Sequence, residues 1–192
     1  MINHVPQSHL VHMPGVRYFL DTEFTDLPWA PRSELLWVAL VDETGQREFS
    51  AVNKDCSLDQ ASAFVCEHVL PKLANAPLRL SRARLAQAVI EFVGPAPKFW
   101  AWFPSVANIA AMAGSAGAAR LHERFADWDY QLLRGLLGAV PADWPPACRD
   151  LHALADATGI DLPPNTEPHN PLADARWGRT VWLSAQGLLS RA

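Results

Sequence analysis

Val16-Arg17-Tyr18-Phe19-Leu20 leads directly into Asp21-Thr22-Glu23-Phe24. The first five residues read as a short buried strand, and Asp21 follows at its end. In extended backbone, residues two apart point the same way. Asp21 and Glu23 therefore aim two carboxylates at one point, which is how a hard cation such as Mg²⁺ or Mn²⁺ is held through oxygen. Taken alone, an acidic pair of this kind also serves as a solvated turn.

Outward from this stretch, residues 34–41 (ELLWVALV) form a second apolar run of strand length. Asp42-Glu43-Thr44-Gly45 is a turn, and residues 47–52 alternate as a third strand, giving an antiparallel meander. Residues 57–73 read as a helix, with apolar side chains at 61, 64, 65, 69 and 73 and with Asp59 and Gln60 in the first turn. A second helix spans 81–93, where Leu85, Ala88, Val89 and Phe92 share a face. Residues 98–103 (KFWAWF) are strand-like and aromatic. Residues 104–125, rich in Ala, Gly and Ser, read as an inserted loop or small helix. Residues 129–137 make a short helix ended by Gly138, and 149–158 fit a helix or a strand–helix mixture. A Pro-rich loop at 161–168 precedes a closing helix at 172–189. Strands before and between helices indicate an α/β fold, one sheet layered with helices.

The 192 residues are 49% apolar and 19% charged. This length and composition suit one domain with a sizeable core and exclude an intrinsically disordered chain. Residues 1–15 read as a flexible N-terminal segment and 16–192 as the domain. The net charge is −4, so no basic footprint holds duplex DNA by charge alone. Bound cations supply positive charge locally, which leaves nucleic-acid enzymes open. Cys56, Cys66 and Cys148 make no C-x-x-C pair, which argues against a zinc ribbon or disulfide framework and for a reducing, cytoplasmic setting. The first thirteen residues carry His4, His9 and His12 without the apolar segment of a signal peptide. They read as a frayed polar terminus rather than a metal tract. No apolar run approaches the ~20 residues that span a bilayer, so no membrane partner is expected.

Two further acidic segments stand out. In His169-Asn170-Pro171-Leu172-Ala173-Asp174, a Pro-rich loop enters the last helix. Asp174 shares a face with Trp177, Gly178 and Val181, the face expected to pack on the sheet. A carboxylate facing inward needs a partner, and a metal ion or an arginine would serve. His169 is free to reach the same point from the loop, or to cap the loop. In Ala126-Asp127-Trp128-Asp129-Tyr130, Asp129 lies on the stripe formed by Leu132, Leu133, Leu136 and Leu137. Asp127 lies on the other side and suits the helix N-cap.

The ordered set Asp21, Glu23, Asp129 and Asp174, with His169 five residues before the last, resembles the DEDDh 3′–5′ exonucleases of the DnaQ superfamily. The tyrosine branch of that superfamily would place Tyr at 170, where this chain has Asn170. The chain is most similar to the polyadenylate-specific exoribonucleases of the RNase AS family. The likeness runs from about Arg17 to Arg179, through YFLDTEF, VLPKL, SRARL, WAW, the AD-aromatic-D string and H-x-x-L-x-D-A-R. The resemblance implies an RNase H-like fold, a mixed five-stranded sheet flanked by helices. It implies two Mg²⁺ or Mn²⁺ ions held by Asp21, Glu23, Asp129 and Asp174, with His169 as general base. The implied reaction removes nucleoside 5′-monophosphates from the 3′ end of single-stranded RNA, with a preference for adenylate, in a homodimer. Phe24, Trp29 and Trp128 lie beside the acidic motifs as stacking candidates, and Glu34 stands where the family places a glutamate near the terminal base. Arg79, Arg82 and Arg84, and second Arg120 and Arg124, are candidates for guiding phosphates.

Two departures accompany this resemblance. About twenty extra residues follow the WAW strand, so alignment without a gap would put Ala107 at the third carboxylate position. Pro171 stands inside the last motif, where the first turn of a helix tolerates it. Two other functions stay open. One is a DEDDh exonuclease acting on DNA or short oligonucleotides. The other is a catalytically degenerate nucleic-acid-binding protein, which would follow if Ala107 occupied the third position.

Overall fold

The computed structural model describes residues 15–76 and 78–189. The three N-terminal histidines lie outside them. Strand β1 (Arg17–Phe24) continues well past Leu20, so Asp21 is mid-strand rather than at a strand end. Pairing with β2 (Leu35–Asp42) explains the extension. Asp21 faces Ala39, Thr22 faces Val38 and Glu23 faces Trp37, and the register breaks only between Glu23 and Phe24. The hydrogen-bonded ladder outweighs the weak strand propensity of Asp and Glu. Every residue of β2 is buried, as expected for a strand covered on both faces.

β3 (Glu48–Asn53) completes the meander, antiparallel to β2. β5 (Lys98–Ala101) pairs parallel with β1 on the other side. Two strands of two residues each join the four longer ones, so the sheet has six strands rather than the expected five. They are β4 (Arg79–Leu80) beside β3 and β6 (Arg149–Asp150) beside β5, both parallel to their neighbours. The order is β4-β3-β2-β1-β5-β6. Runs of two residues are too short to show a period in sequence.

The even positions of β1 face one layer. Tyr18 and Leu20 join Leu85, Val89 and Val93 of α2 (Arg82–Val93), and Tyr130, Leu133 and Leu136 of α5 (Trp128–Leu137). Ser81 caps α2 through the Arg84 amide. The odd positions face α7 (Pro171–Leu189), whose Ala175 packs on Ala39 and Val41. Gly45, in the β2–β3 turn at φ 73°, lets the turn close on the middle of α7. A methyl there would stand 2.9 Å from the Arg179 guanidinium, which donates to the Glu43 and Thr44 carbonyls.

Three elements differ from the sequence reading. The helix expected over 57–73 starts only at Ala63, because Ser62 supplies the N-cap to Val65, and Asp59 and Gln60 lie in a preceding turn. α1 (Ala63–His68) then gives way to a 3-10 segment, Leu70–Asn75, whose second residue is Pro71. Residues 104–125, expected as an inserted loop or small helix, form a helical hairpin, α3 (Val106–Ala113) and α4 (Ala118–Phe125), with a capping box at Ser105 and Asn108. The ambiguous stretch at 149–158 contains both elements, β6 followed by α6 (Leu151–Thr158). Among the described residues, no helix is long and apolar enough to cross a membrane.

Phe99 sits at the centre of the larger core, with ring centroids 5.1 Å from Tyr130, 5.1 Å from Trp144 and 6.1 Å from Tyr18. Phe99→Ala is expected to destabilise the protein by about 3–5 kcal/mol in denaturant unfolding. A loss below about 1 kcal/mol would place the centre of the core elsewhere.

Candidate active site

The C-terminal half of β1 opens into a cavity of about 630 Å³. This is within the ~300–1,000 Å³ range of ligand sites. Asp21, Glu23, Asp129, His169 and Asp174 all line it, as do Phe24 and Trp128. Asp21 and Glu23 reach it from β1, where the strand period puts both on the α7 side. Asp174 reaches it from the first turn of α7. Carboxylate oxygens of Asp21, Glu23 and Asp174 lie within 4.8 Å of one another.

Asp129, in the first turn of α5, approaches from the other layer and is 3% exposed. One of its oxygens accepts the Thr22 amide at 3.0 Å and the Thr22 hydroxyl at 2.6 Å. Asp127 does hold the N-cap position of α5, but its side chain makes no cap bond and instead accepts from Gln131. Ala107, the competing position, is exposed on α3 and does not line the cavity.

Asp174 is oriented by three donors. Asn165 Nδ2 donates to it at 2.5 Å, and the backbone amides of His169 and Asn170 donate as well. Among the described residues, His169 is one of two non-glycine residues with positive φ, at 62°, a turn that lifts its ring toward the site. That ring meets Phe64 edge-on at 4.9 Å and lies 6.1 Å from His68. Lys72 donates to the Pro168 carbonyl, which anchors the loop bearing His169.

Crowding decides the protonation of these groups. Burial, then Asp129, Asp174 and Glu23, push Asp21 well above the ordinary carboxylate range. Burial, then Asp174 and Asp129, push Glu23 up to about 8, against a smaller opposing effect of Lys72. Burial pushes Asp129 up to about 7, although the Thr22 hydrogen bonds favour its anion. Asp174 is also raised, burial outweighing its donors. Burial, then Lys72 and His68, lower His169, so the imidazole is neutral near pH 7 and able to accept a proton. An all-oxygen, buried, mutually repelling donor set fits a hard divalent cation, which would relieve the repulsion and restore the anionic state.

The remaining sequence candidates lie elsewhere. Trp29 stands behind Trp128, 6.4 Å between ring centroids, and against Phe125 at 6.1 Å; it does not line the cavity. Glu34 also lies off the cavity, and its charge, after burial, helps raise the Cys56 thiol to about 12. Arg79 donates to the Leu73 carbonyl and Arg82 to that of Gly135, so both serve chain packing. Thr22, Asn165, Lys72 and Phe64 were not singled out in the sequence. Their contacts cross from β1 to α5, from loop to α7 and from α1 to the loop, with no fixed spacing to reveal them.

No protein-family model matches the chain. Two Mycobacterium tuberculosis proteins, from different strains and both named 3′-5′ exoribonuclease, are 29% identical to it over 169 residues, covering 84% of this chain and 88% of theirs. Among solved structures, the zinc-bound form of an E. coli ExoI–ssDNA complex matches with a TM-score of 0.52 at 15% identity. That match covers 93% of this chain and 43% of the other, so this chain spans less than half of it and the two share a fold.

The carboxylate shifts set a pH dependence of stability. A carboxyl group whose folded pKa lies above its unfolded value keeps its proton in the folded state while the unfolded chain releases it. The folded state then binds more protons, and stability falls as pH rises through that window. For Glu23 the window runs from 4.5 to about 8. In EDTA, the melting temperature is expected to fall from pH 5 to pH 8, and Glu23→Gln is expected to flatten this fall. Each 1 kcal/mol corresponds to roughly 2–4 °C at this chain length. Mn²⁺ is expected to raise the melting temperature more at pH 8 than at pH 5, because it competes with protons for the same oxygens. A wild-type curve that rises over this range, with Glu23→Gln unchanged, would contradict the assignment.

Proposed function

We propose that this protein is a divalent-metal-dependent 3′–5′ exonuclease that removes nucleoside 5′-monophosphates from the 3′ end of single-stranded RNA. The observation that carries the reading is the convergence of Asp21, Glu23, Asp129 and Asp174 in one cavity with a neutral histidine at its rim. The two exoribonuclease relatives support the reaction and its polarity. Asp21, Glu23 and Asp174, with Asp129 beside them, are the residues that would hold the cations. When bound, two Mg²⁺ or Mn²⁺ ions neutralise the phosphodiester and favour a hydroxide nucleophile at neutral pH.

The chain's own residues do the rest. Asp21 and Glu23 are rigid because they project from a paired strand. Thr22 holds Asp129, and Asn165 holds Asp174. His169 accepts the proton of the attacking water. The new bond joins the water oxygen to phosphorus, and the P–O3′ bond breaks with its electron pair going to O3′. That oxygen takes a proton from solvent and becomes the new 3′ end. Phe24 and Trp128, edge to face at 5.5 Å, offer an aromatic wall to the terminal base.

Purified protein incubated with 5′-labelled single-stranded poly(A) and Mn²⁺ is expected to produce a ladder that shortens from the 3′ end, and EDTA is expected to stop it. Parallel poly(U) and single-stranded DNA test base and sugar preference. Asp21→Asn and Asp174→Asn are expected to abolish the ladder. His169→Asn is expected to slow it by roughly 10²–10⁴-fold. Retention of wild-type rates by Asp21→Asn would remove the reading. A folded protein that binds RNA but degrades neither RNA nor DNA would favour the non-catalytic binding protein instead.

A further inference from the structure

The cavity has a second aromatic wall besides Phe24 and Trp128. Trp102 immediately follows β5 and lines the cavity together with Trp177 of α7 and Met112 of the inserted hairpin. Trp102 stacks on His152, with ring centroids 4.7 Å apart and planes at 19°, and meets Trp177 edge-on at 4.8 Å. Both supports are fixed. His152 Nδ1 lies 3.1 Å from the Phe103 carbonyl, and Trp177 Nε1 donates to the Pro163 carbonyl at 2.8 Å. Met112, by contrast, is 42% exposed. An apolar thioether left open beside a braced indole suits a flat aromatic ligand.

The sheet determines which ligand. β3, β1, β5 and β6 run in one direction, since β3 and β1 are both antiparallel to β2 and the others are parallel to β1 in turn. Their C-terminal ends therefore lie along one edge. α1, with Phe64, follows β3; the carboxylates Asp21 and Glu23 stand in β1; Trp102 follows β5. Phe64 and Trp102 thus flank the carboxylates from opposite sides. His169 packs on Phe64, which places the proton acceptor on the β3 side. In a phosphoryl displacement, the attacking and leaving oxygens are roughly in line across phosphorus. With the water on the His169 side, the departing O3′ faces β5.

We infer that Trp102, assisted by Met112, stacks the base of the penultimate nucleotide, the one whose O3′ leaves. This subsite rests on the proposed exonuclease reaction and adds the half of the substrate that stays with the RNA. The bases on the two sides of the cleaved bond then occupy different walls, the terminal one toward Phe24 and Trp128, the penultimate one at Trp102. Met112 belongs to the 104–125 insertion, so the insertion takes part in gripping the substrate.

Single-stranded RNA carrying an abasic ribose at either the penultimate or the terminal position tests this. A stacked base is worth about 5- to 150-fold in kcat/KM. Wild type is expected to lose that factor when the penultimate base is removed. Trp102→Leu, which keeps apolar volume without a stacking face, is expected to lose about as much on intact RNA. It is then expected to fall by less than about twofold when the penultimate base is also missing, the non-additivity of a coupled pair. A 2-aminopurine at the penultimate position is expected to be quenched on binding wild type and not on binding Trp102→Leu. If Trp102→Leu does not fold, Met112→Ala, on an exposed side chain, is expected to show the same reduced sensitivity to the abasic site. Equal sensitivity of wild type and variant to the penultimate abasic site, or sensitivity of wild type to the terminal one alone, overturns the subsite while leaving the exonuclease intact. Absence of metal-dependent shortening of any substrate by wild type overturns the exonuclease reading and the subsite with it.

Discussion

The hydrogen bonds from the Thr22 amide and hydroxyl to Asp129 tie the two layers of the molecule together at the cavity. β1 alternates, so Asp21 and Glu23 face α7 while Thr22 faces α5. One strand thereby presents two carboxylates on one face and grips a third from the other. A shift of one residue in register would turn Asp21 and Glu23 toward the α2–α5 core and Thr22 away from Asp129. The apolar half of the same strand prevents this. Tyr18 and Leu20 are buried in one layer and Phe19 in the other, and none tolerates exposure. The register that satisfies the core is the register that builds the site.

The large elements were legible in the sequence because their periods are long enough to read. β2, α2, α5 and α7 fall within a residue or two of the expected bounds. The paired carboxylates of β1 were legible for the same reason, since a spacing of two has one meaning in a strand. Asp129 could be separated from Asp127 by the leucine stripe of its helix, and the structure does put Asp129 against Thr22. What could not be read depends on distant pairing. β4 exists because β3 offers an edge, and the helix at 57–73 is divided by Ser62 and Pro71, which compete with its apolar spacing. Glu34 was placed by family position alone, and it lies off the cavity.

The α3–α4 hairpin leaves the floor of the cavity intact because of where it departs and returns. It leaves after β5, at the rim, and rejoins at α5, whose first turn supplies Asp129. Between those points the chain adds α3 and α4 without interrupting a strand or displacing α5 from α2. Added chain at a rim changes the walls, and here it brings Met112 into the cavity. Loops placed on a rigid scaffold are where binding diversifies at little cost to the fold.

The charge balance explains why divalent cations would complete the site. Lys72 acts on Glu23 and Asp174 and draws the proton affinity of both downward. Both nonetheless stay above the ordinary carboxylate range, Asp174 through burial and Glu23 through burial and the repulsion of Asp174 and Asp129. Lys72 is also committed to the Pro168 carbonyl, so it cannot move in to neutralise the cluster without releasing the loop that carries His169. The fold thus supplies geometry but not charge compensation. Protons supply it at low pH, and divalent cations are the partners whose charge and oxygen preference match the gap they leave.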